Sequence, residues 1–230
     1  MTSAQRKMLI IGLVPMLVLV VGGAALTVSM IRGRLPYSYS ASFAPGPQGV
    51  KVVSDVSFEL QASADGQVHV TVDGTYAAAQ PAVKVSTVGG VLDVETSCPD
   101  VQCEVDVTVE VPGTSAVQAK ADGTSMSAVG VASPLTVEAD DGSVTLTRIR
   151  STRVSVDARH GSVDILFDSA PDQVTATASN GSLTVQLPGT TTYAIDALAA
   201  QGSTQVDVPN DPSSSNRVYL RTSYGSITVQ

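Results

Sequence analysis

LTVEADDGSVTLTRI (residues 135–149), VSVDARHGSVDILF (154–167) and VTATASNGSLTVQL (174–187) are three copies of one pattern. Aligned on Gly142, Gly161 and Gly181 and continued through Gly202 and Gly225, the copies recur at steps of 19, 20, 21 and 23 residues. Asp122-Gly123-Thr124 opens the series as a looser copy. Seven residues before each glycine stand Leu135, Val154, Val174, Ile195 and Val218, and five before stand Val137, Val156, Ala176, Ala197 and Leu220. Two after it come Val144, Val163, Leu183, Thr204 and Ile227, and four after it Leu146, Ile165, Val185, Val206 and Val229. The residues between are mostly polar, among them Glu138, Asp157 and Thr177 before the turn and Thr145, Asp164 and Thr184 after it. Alternation with period two marks a strand that buries one face.

Each unit therefore reads strand, tight turn, strand. A unit of roughly twenty residues cannot cover its own apolar face and must stack on its neighbours. Stacking equivalent residues produces parallel ladders, so the expected fold is all-β: a repetitive β-solenoid, parallel β-helix-like, of about five to six rungs. A meander of antiparallel hairpins is the competing arrangement, because Asn180-Gly181 and Asp141-Gly142 are also hairpin signals. The columns of like residues favour stacking. Gly142, Gly161, Gly181, Gly202 and Gly225 are expected at corners needing positive φ. Ala139, Ala158, Ala178 and Ala199, three residues before their corners, suit a place where two sheets converge.

Composition agrees with strands: aromatics are 4%, Trp is absent, and the core must be built from Val, Ala, Leu and Ile. Upstream of the repeats, residues 50–112 hold alternating runs such as VKVVSDVSFELQA and EVDVTVEVP, expected as a β-strand cap on the solenoid of residues 113–230. Residues 35–49, LPYSYSASFAPGPQG, are rich in Pro, Ser and Gly and are expected to form a linker.

Residues 1–34 are of another kind. From Met8 to Ile31 there is no charge, and as a helix this run would be roughly 36 Å long, enough to span a bilayer. An uncleaved transmembrane helix is expected; the other reading is a signal peptide, but apolar sequence continues past the small residues Gly22 to Ala25. Arg6 and Lys7 on one side and Arg32 and Arg34 on the other leave the charge rule for orientation nearly tied. Cys98 and Cys103, the only cysteines, have four residues between them and fit a small disulfide loop, which implies an oxidising compartment; two free thiols are the alternative. The expected location is the bacterial plasma membrane, single-pass, with the C-terminal domain extracytoplasmic. Residues 35–230 carry 9 Lys and Arg against 21 Asp and Glu, a balance that excludes nucleic acid as a partner.

The stretch VDVTVEVPGTSAVQAKADGTSMSAVGV, followed by the repeats quoted above, resembles the bacterial putative-adhesin domain of unknown function over roughly residues 50–230. In that family, strands ending in Val-Pro lead into units of strand, Gly-Ser or Gly-Asp, strand, and an N-terminal membrane anchor is common. The resemblance implies a β-solenoid and an envelope location, and it brings no catalytic residues. The Cys98/Cys103 pair and the loose unit around Gly123 and Met126 depart from the pattern.

For chemistry, the densest cluster is Glu138, Asp140, Asp141, Asp157, His160, Asp164 and Asp168. Stacking at roughly 4.8 Å would set Glu138 beside Asp157 and Asp141 beside His160. Glu138, Asp141 and Asp157 are thereby candidate Ca²⁺ ligands, and an Asp–His pair could do acid/base work. The plain alternative is a polar outer face neutralised by Arg148, Arg150, Arg153 and Arg159. No nucleophile elbow, zinc motif, phosphate loop or dinucleotide fingerprint occurs, so no catalysis and no cofactor are expected. The expected function is a membrane-anchored interaction module; an accessory subunit of a larger membrane complex and a polysaccharide-acting or Ca²⁺-binding β-helix protein are the alternatives. Because the rung pattern runs through Val229, the C-terminal strand is expected to be an open edge, either the place where a protein partner or a second copy docks or a frayed last strand.

Overall fold

The alternation becomes nineteen strands and no helix over residues 33–99 and 101–230, the part of the chain that the computed structural model describes. The expected span at residues 8–31 lies outside the described residues, within which no helix is long and apolar enough to cross a membrane.

Sixteen of the strands pair into rungs, each rung two strands joined at a corner. In chain order the rungs are β2 (Gly49–Ser54) with β3 (Phe58–Ala62), β6 (Val91–Ser97) with β7 (Glu104–Val111), β8 (Val117–Ala121) with β9 (Met126–Val129), and β10 (Leu135–Asp141) with β11 (Val144–Ile149). They continue with β12 (Arg153–His160) and β13 (Val163–Phe167), β14 (Gln173–Asn180) and β15 (Leu183–Gln186), β16 (Ala194–Gln201) and β17 (Thr204–Val206), and β18 (Arg217–Tyr224) and β19 (Ile227–Val229). The first strand of every rung belongs to one parallel sheet and the second to another, with the core between. Three further strands, β1 (Leu35–Phe43), β4 (Val68–Tyr76) and β5 (Ala82–Val88), close the N-terminal end by antiparallel pairing: β5 on β6, β4 on β7 and β1 on β4.

The stacking register is the one the columns require. Leu135 pairs with Val154, Val154 with Val174, and Val174 with Val218; on the facing sheet Val144 pairs with Val163, Val163 with Leu183 and Leu183 with Ile227. These side chains are all buried. The ladder also runs through the corners, where the N–H of Gly142, Gly161 and Gly181 donates to the carbonyls of His160, Asn180 and Tyr224, at 2.9 Å each. Serine follows glycine because it ties corners together: Ser143 N–H donates to Ser125 Oγ, Ser226 N–H to Ser182 Oγ, and Ser203 Oγ to Ser226 Oγ. Thr222 replaces the small alanine of its column while buried, and its hydroxyl donates to Gly181 O at 2.9 Å.

Three expectations are corrected. Residues 35–43 are not a linker but strand β1; an edge position suits Pro36, which has no N–H to give a second neighbour. Residues 50–112 are more than a cap, since β2/β3 and β6/β7 are rungs of the solenoid and bring its total to eight. The C-terminal strand is not an open edge. In space the rungs run β6/β7, β2/β3, β8/β9, β10/β11, β12/β13, β14/β15, β18/β19, β16/β17, so the first and last rungs in sequence are each inserted one place inward. β18 lies between β14 and β16, and β19 between β15 and β17.

The physical reason lies in burial. The inward residues of β18/β19, Val218, Leu220, Ile227 and Val229, are 0–1% exposed. Among those of β16/β17, Ala197 and Thr204 are smaller or polar where β18/β19 have Leu220 and Ile227, and Val206, the counterpart of Val229, is 38% exposed, which suits an end. The true C-terminal edge is β16/β17, part of it already covered. Asn210 donates its side-chain N–H to Ile195 O and accepts from Ile195 N–H, as a further strand would, and Pro209 and Pro212 flank it.

Candidate functional site

Parallel stacking turns the outward residues of each sheet into columns. On the sheet of second strands one column reads Thr108, Glu59, Ser127, Thr145, Asp164, Thr184, Thr228 and Gln205. On the other sheet, Lys120, Glu138, Asp157, Thr177 and Arg221 follow one another. The acidic cluster read from the sequence divides between these faces. Glu138 does stand beside Asp157 and Asp141 beside His160, but Asp164 lies on the opposite sheet.

The members on the first-strand sheet already have partner chemistry nearby. Lys120 flanks Glu138 in register, Thr177 Oγ1 donates to Asp157 at 2.8 Å, Arg159 pairs with Asp140 at 2.7 Å, and His160 Nδ1 lies 3.0 Å from Asp141. Asp141 stands in the corner column, apart from the Glu138–Asp157 pair. Among the described residues no group of three or more His, Cys, Asp or Glu side chains is placed to hold a metal ion. Arg148 and Arg150 lie away from Glu138, Asp141 and Asp157, and line one depression with Asp168. Arg148 sits at φ 53° in a bulge of β11, and Arg150 donates to Gly130 O at 3.1 Å.

Phe167 and Tyr193, two of the few aromatics in the repeats, are buried. Tyr219 and Tyr224 are exposed, and the Arg221 guanidinium lies 3.9 Å over the Tyr219 ring while pairing with Asp196 at 2.7 Å.

Cys98 and Cys103 form a disulfide with Cα atoms 6.0 Å apart, closing the corner between β6 and β7 where later rungs turn through Gly-Ser. Asp55, at the corner of the neighbouring rung, accepts from Cys98 N–H at 3.0 Å, and Thr96 Oγ1 donates to Ser54 Oγ at 2.7 Å beneath it.

One constellation has no signal in the sequence. Ser42 faces His69 across β1 and β4, with Oγ 2.8 Å from Nδ1, and His69 Nε2 lies 2.9 Å from Asp65 Oδ1. A carboxylate can only accept, so Nε2 donates to Asp65, and with the ring neutral Nδ1 accepts from Ser42. The chain of hydroxyl, imidazole and carboxylate ties the edge strand to the turn between β3 and β4. His69, then the Gln67 N–H and the Ser63 hydroxyl, hold the Asp65 carboxyl down from 3.8 to about 2. A depressed value means that this tie stabilises the fold above about pH 4 and loses its contribution as pH falls towards 2. Asp65→Asn is expected to flatten that dependence, read as amide exchange of β1 at pH 3 against pH 5.

The fold has counterparts among solved structures. A putative cell adhesion protein from Clostridium sporogenes superposes with a TM-score of 0.51 at 14% identity, over 85% of this chain and 99% of that one. Putative adhesins from Parabacteroides distasonis and Parabacteroides merdae align over 85% of this chain and 97% and 96% of theirs, at 14% and 10% identity and TM-scores of 0.32 and 0.35. No curated protein shows significant similarity to the chain. Residues 63–230 match the family described as Toastrack DUF4097, whose limits take in seven of the eight stacked rungs. With its corner glycines, parallel columns and two-sheet core, the chain belongs to the Toastrack DUF4097 family.

Proposed function

We propose that the chain is a membrane-anchored extracytoplasmic interaction module that works by presenting a surface, without catalysis. The observation that carries this reading is the continuity of the outer faces. Eight rungs in register set mostly polar side chains in continuous columns on two sheets, a surface suited to an extended or repeating partner in the envelope. The cell adhesion description of the Clostridium protein supports the same reading. The uncharged run Met8–Ile31 supplies the anchor, and the Cys98–Cys103 disulfide fits an oxidising compartment.

Two measurements test this. Chain extracted from membranes with alkylation at lysis is expected to yield the peptide with Cys98 and Cys103 joined; alkylated free thiols would contradict an outside location. A photo-crosslinker at Thr145 or Thr184, on the outer column, is expected to capture an envelope component that Asp164→Arg abolishes without lowering the melting temperature by more than about 1–2 °C. Capture unchanged by Asp164→Arg would remove that face from the account.

A further inference from the structure

Two apolar side chains stand bare at one corner of the N-terminal end. Leu35, which starts β1, is 51% exposed, and Val101, in the loop closed by the disulfide, is 101% exposed. The register sets them at the same end of neighbouring strands, with β4 between: Leu35 pairs with Tyr76, Thr75 with Glu104, and Val101 lies three residues before Glu104. Arg34 bridges to Glu104 at 2.8 Å, and Tyr37 packs edge-to-face on Tyr76 with centroids 6.3 Å apart.

The chain enters the domain at this corner. Arg32, Gly33 and Arg34 alone separate Leu35 from the apolar run that ends at Ile31. Three extended residues reach about 10 Å. The polar zone of a bilayer is about 5–8 Å deep on each side of the hydrocarbon. Crossing the headgroups uses up most of the tether, and even with the roughly 6 Å by which the run exceeds a core of about 30 Å the corner stays within about 10 Å of the surface. Because Leu35–Phe43 is a paired strand and not a spacer, it adds no slack.

We propose that this corner is a membrane-contact surface, with Leu35 and Val101 seated in the interfacial zone of the lipid bilayer and Tyr76 beside them at headgroup level. This deepens the anchored reading above and rests on it. Tyrosine suits such a position, apolar in its ring and polar at its tip. The contact is apolar and not electrostatic, since the domain carries 21 acidic against 9 basic residues from position 35 onward and anionic lipid repels it. The disulfide holds the Val101 loop in place for the contact.

The absence of Trp from the chain makes a single-probe test available. Leu35→Trp, Val101→Trp and, at the far end, the 56%-exposed Leu198→Trp each report one position in the full chain reconstituted into phosphatidylcholine vesicles. Brominated acyl chains are expected to quench the probes at 35 and 101 at least roughly twofold and to leave the probe at 198 unchanged, with iodide in the water doing the reverse. Adding anionic lipid should not strengthen the quenching, and Val101→Asp should weaken it at position 35. Water-exposed probes at 35 and 101 in chain that stays with the vesicles through alkaline carbonate would overturn the contact while leaving the anchor intact. Equal quenching at position 198 would also overturn it. Release of the chain by carbonate would remove the anchored reading, and the contact with it.

Discussion

Gly181→Ala is expected to destabilise the domain by about 3–5 kcal/mol, a fall in melting temperature of roughly 6–20 °C, through strain and overpacking together. Gly181 sits at φ 156° with the carbonyl of Gly161 against it, and an added Cβ would lie 2.0 Å from that oxygen. The same contact recurs down the column. A Cβ on Gly161 would meet Gly142 O at 2.1 Å, and one on Gly225 would meet Gly181 O at 2.2 Å. Each neighbour in these contacts is backbone held in a ladder, so nothing can turn aside. Gly123, at φ 68° with open space around it, should lose about 1–2 kcal/mol on substitution by Ala, from conformation alone. Gly189→Ala, with neither positive φ nor a near atom, should stay within about 0.5 kcal/mol of the parent. Thermal melts of the three variants give the comparison, and equal losses would mean that the corner column is wrongly assigned.

Removal of residues 217–230 is expected to dismantle two rungs, not one. β16 pairs with β18 and β17 with β19, and neither has another strand partner among the described residues. Without the inserted rung, β16/β17 would have to re-pair with β14/β15, setting Ala197, Ala199 and Thr204 against a face built to receive Leu220, Thr222 and Ile227. The cavities left by the larger side chains cost roughly 2–5 kcal/mol each. Amide protection over residues 194–206 should therefore disappear, and proteolysis should trim the truncated chain to a point near Leu187. A truncated domain that keeps its protection through Val206 would show that the last two rungs stack in sequence order.

The within-sheet geometry was legible because period-two alternation fixes which residues face inward, and aligning five glycines fixes the register. Glu138 beside Asp157 follows from that alone. The order of the rungs was not legible, because Val218 and Ile195 are equally acceptable neighbours of Val174 by type; only volume across the whole inward face separates them. The β2/β3 rung escaped notice because its corner, Asp55-Val56-Ser57, lacks the Gly-Ser mark. β1 escaped because Pro36, Pro45 and Pro47 read as a spacer. Positive φ at the corner glycines was foreseeable, while the carbonyl stacked on each Cα was not, since it belongs to the neighbouring rung. The Ser42–His69–Asp65 tie joins residues 27 and 4 apart across a strand pair, and no local pattern announces it.

Paired cysteines test the stacking order most directly, and with it the continuous faces on which the functional reading depends. Thr175, Tyr219 and Asp196 form one outward column, with Tyr219 in the middle. Neighbours in a sheet lie about 4.8 Å apart, within disulfide reach, whereas next-but-one positions lie about 9.6 Å apart, beyond it. Mapping of disulfides in mildly oxidised protein should find Thr175→Cys joined to Tyr219→Cys and should find no bond between Thr175→Cys and Asp196→Cys. A bond in the second pair and none in the first would contradict the interleaved solenoid.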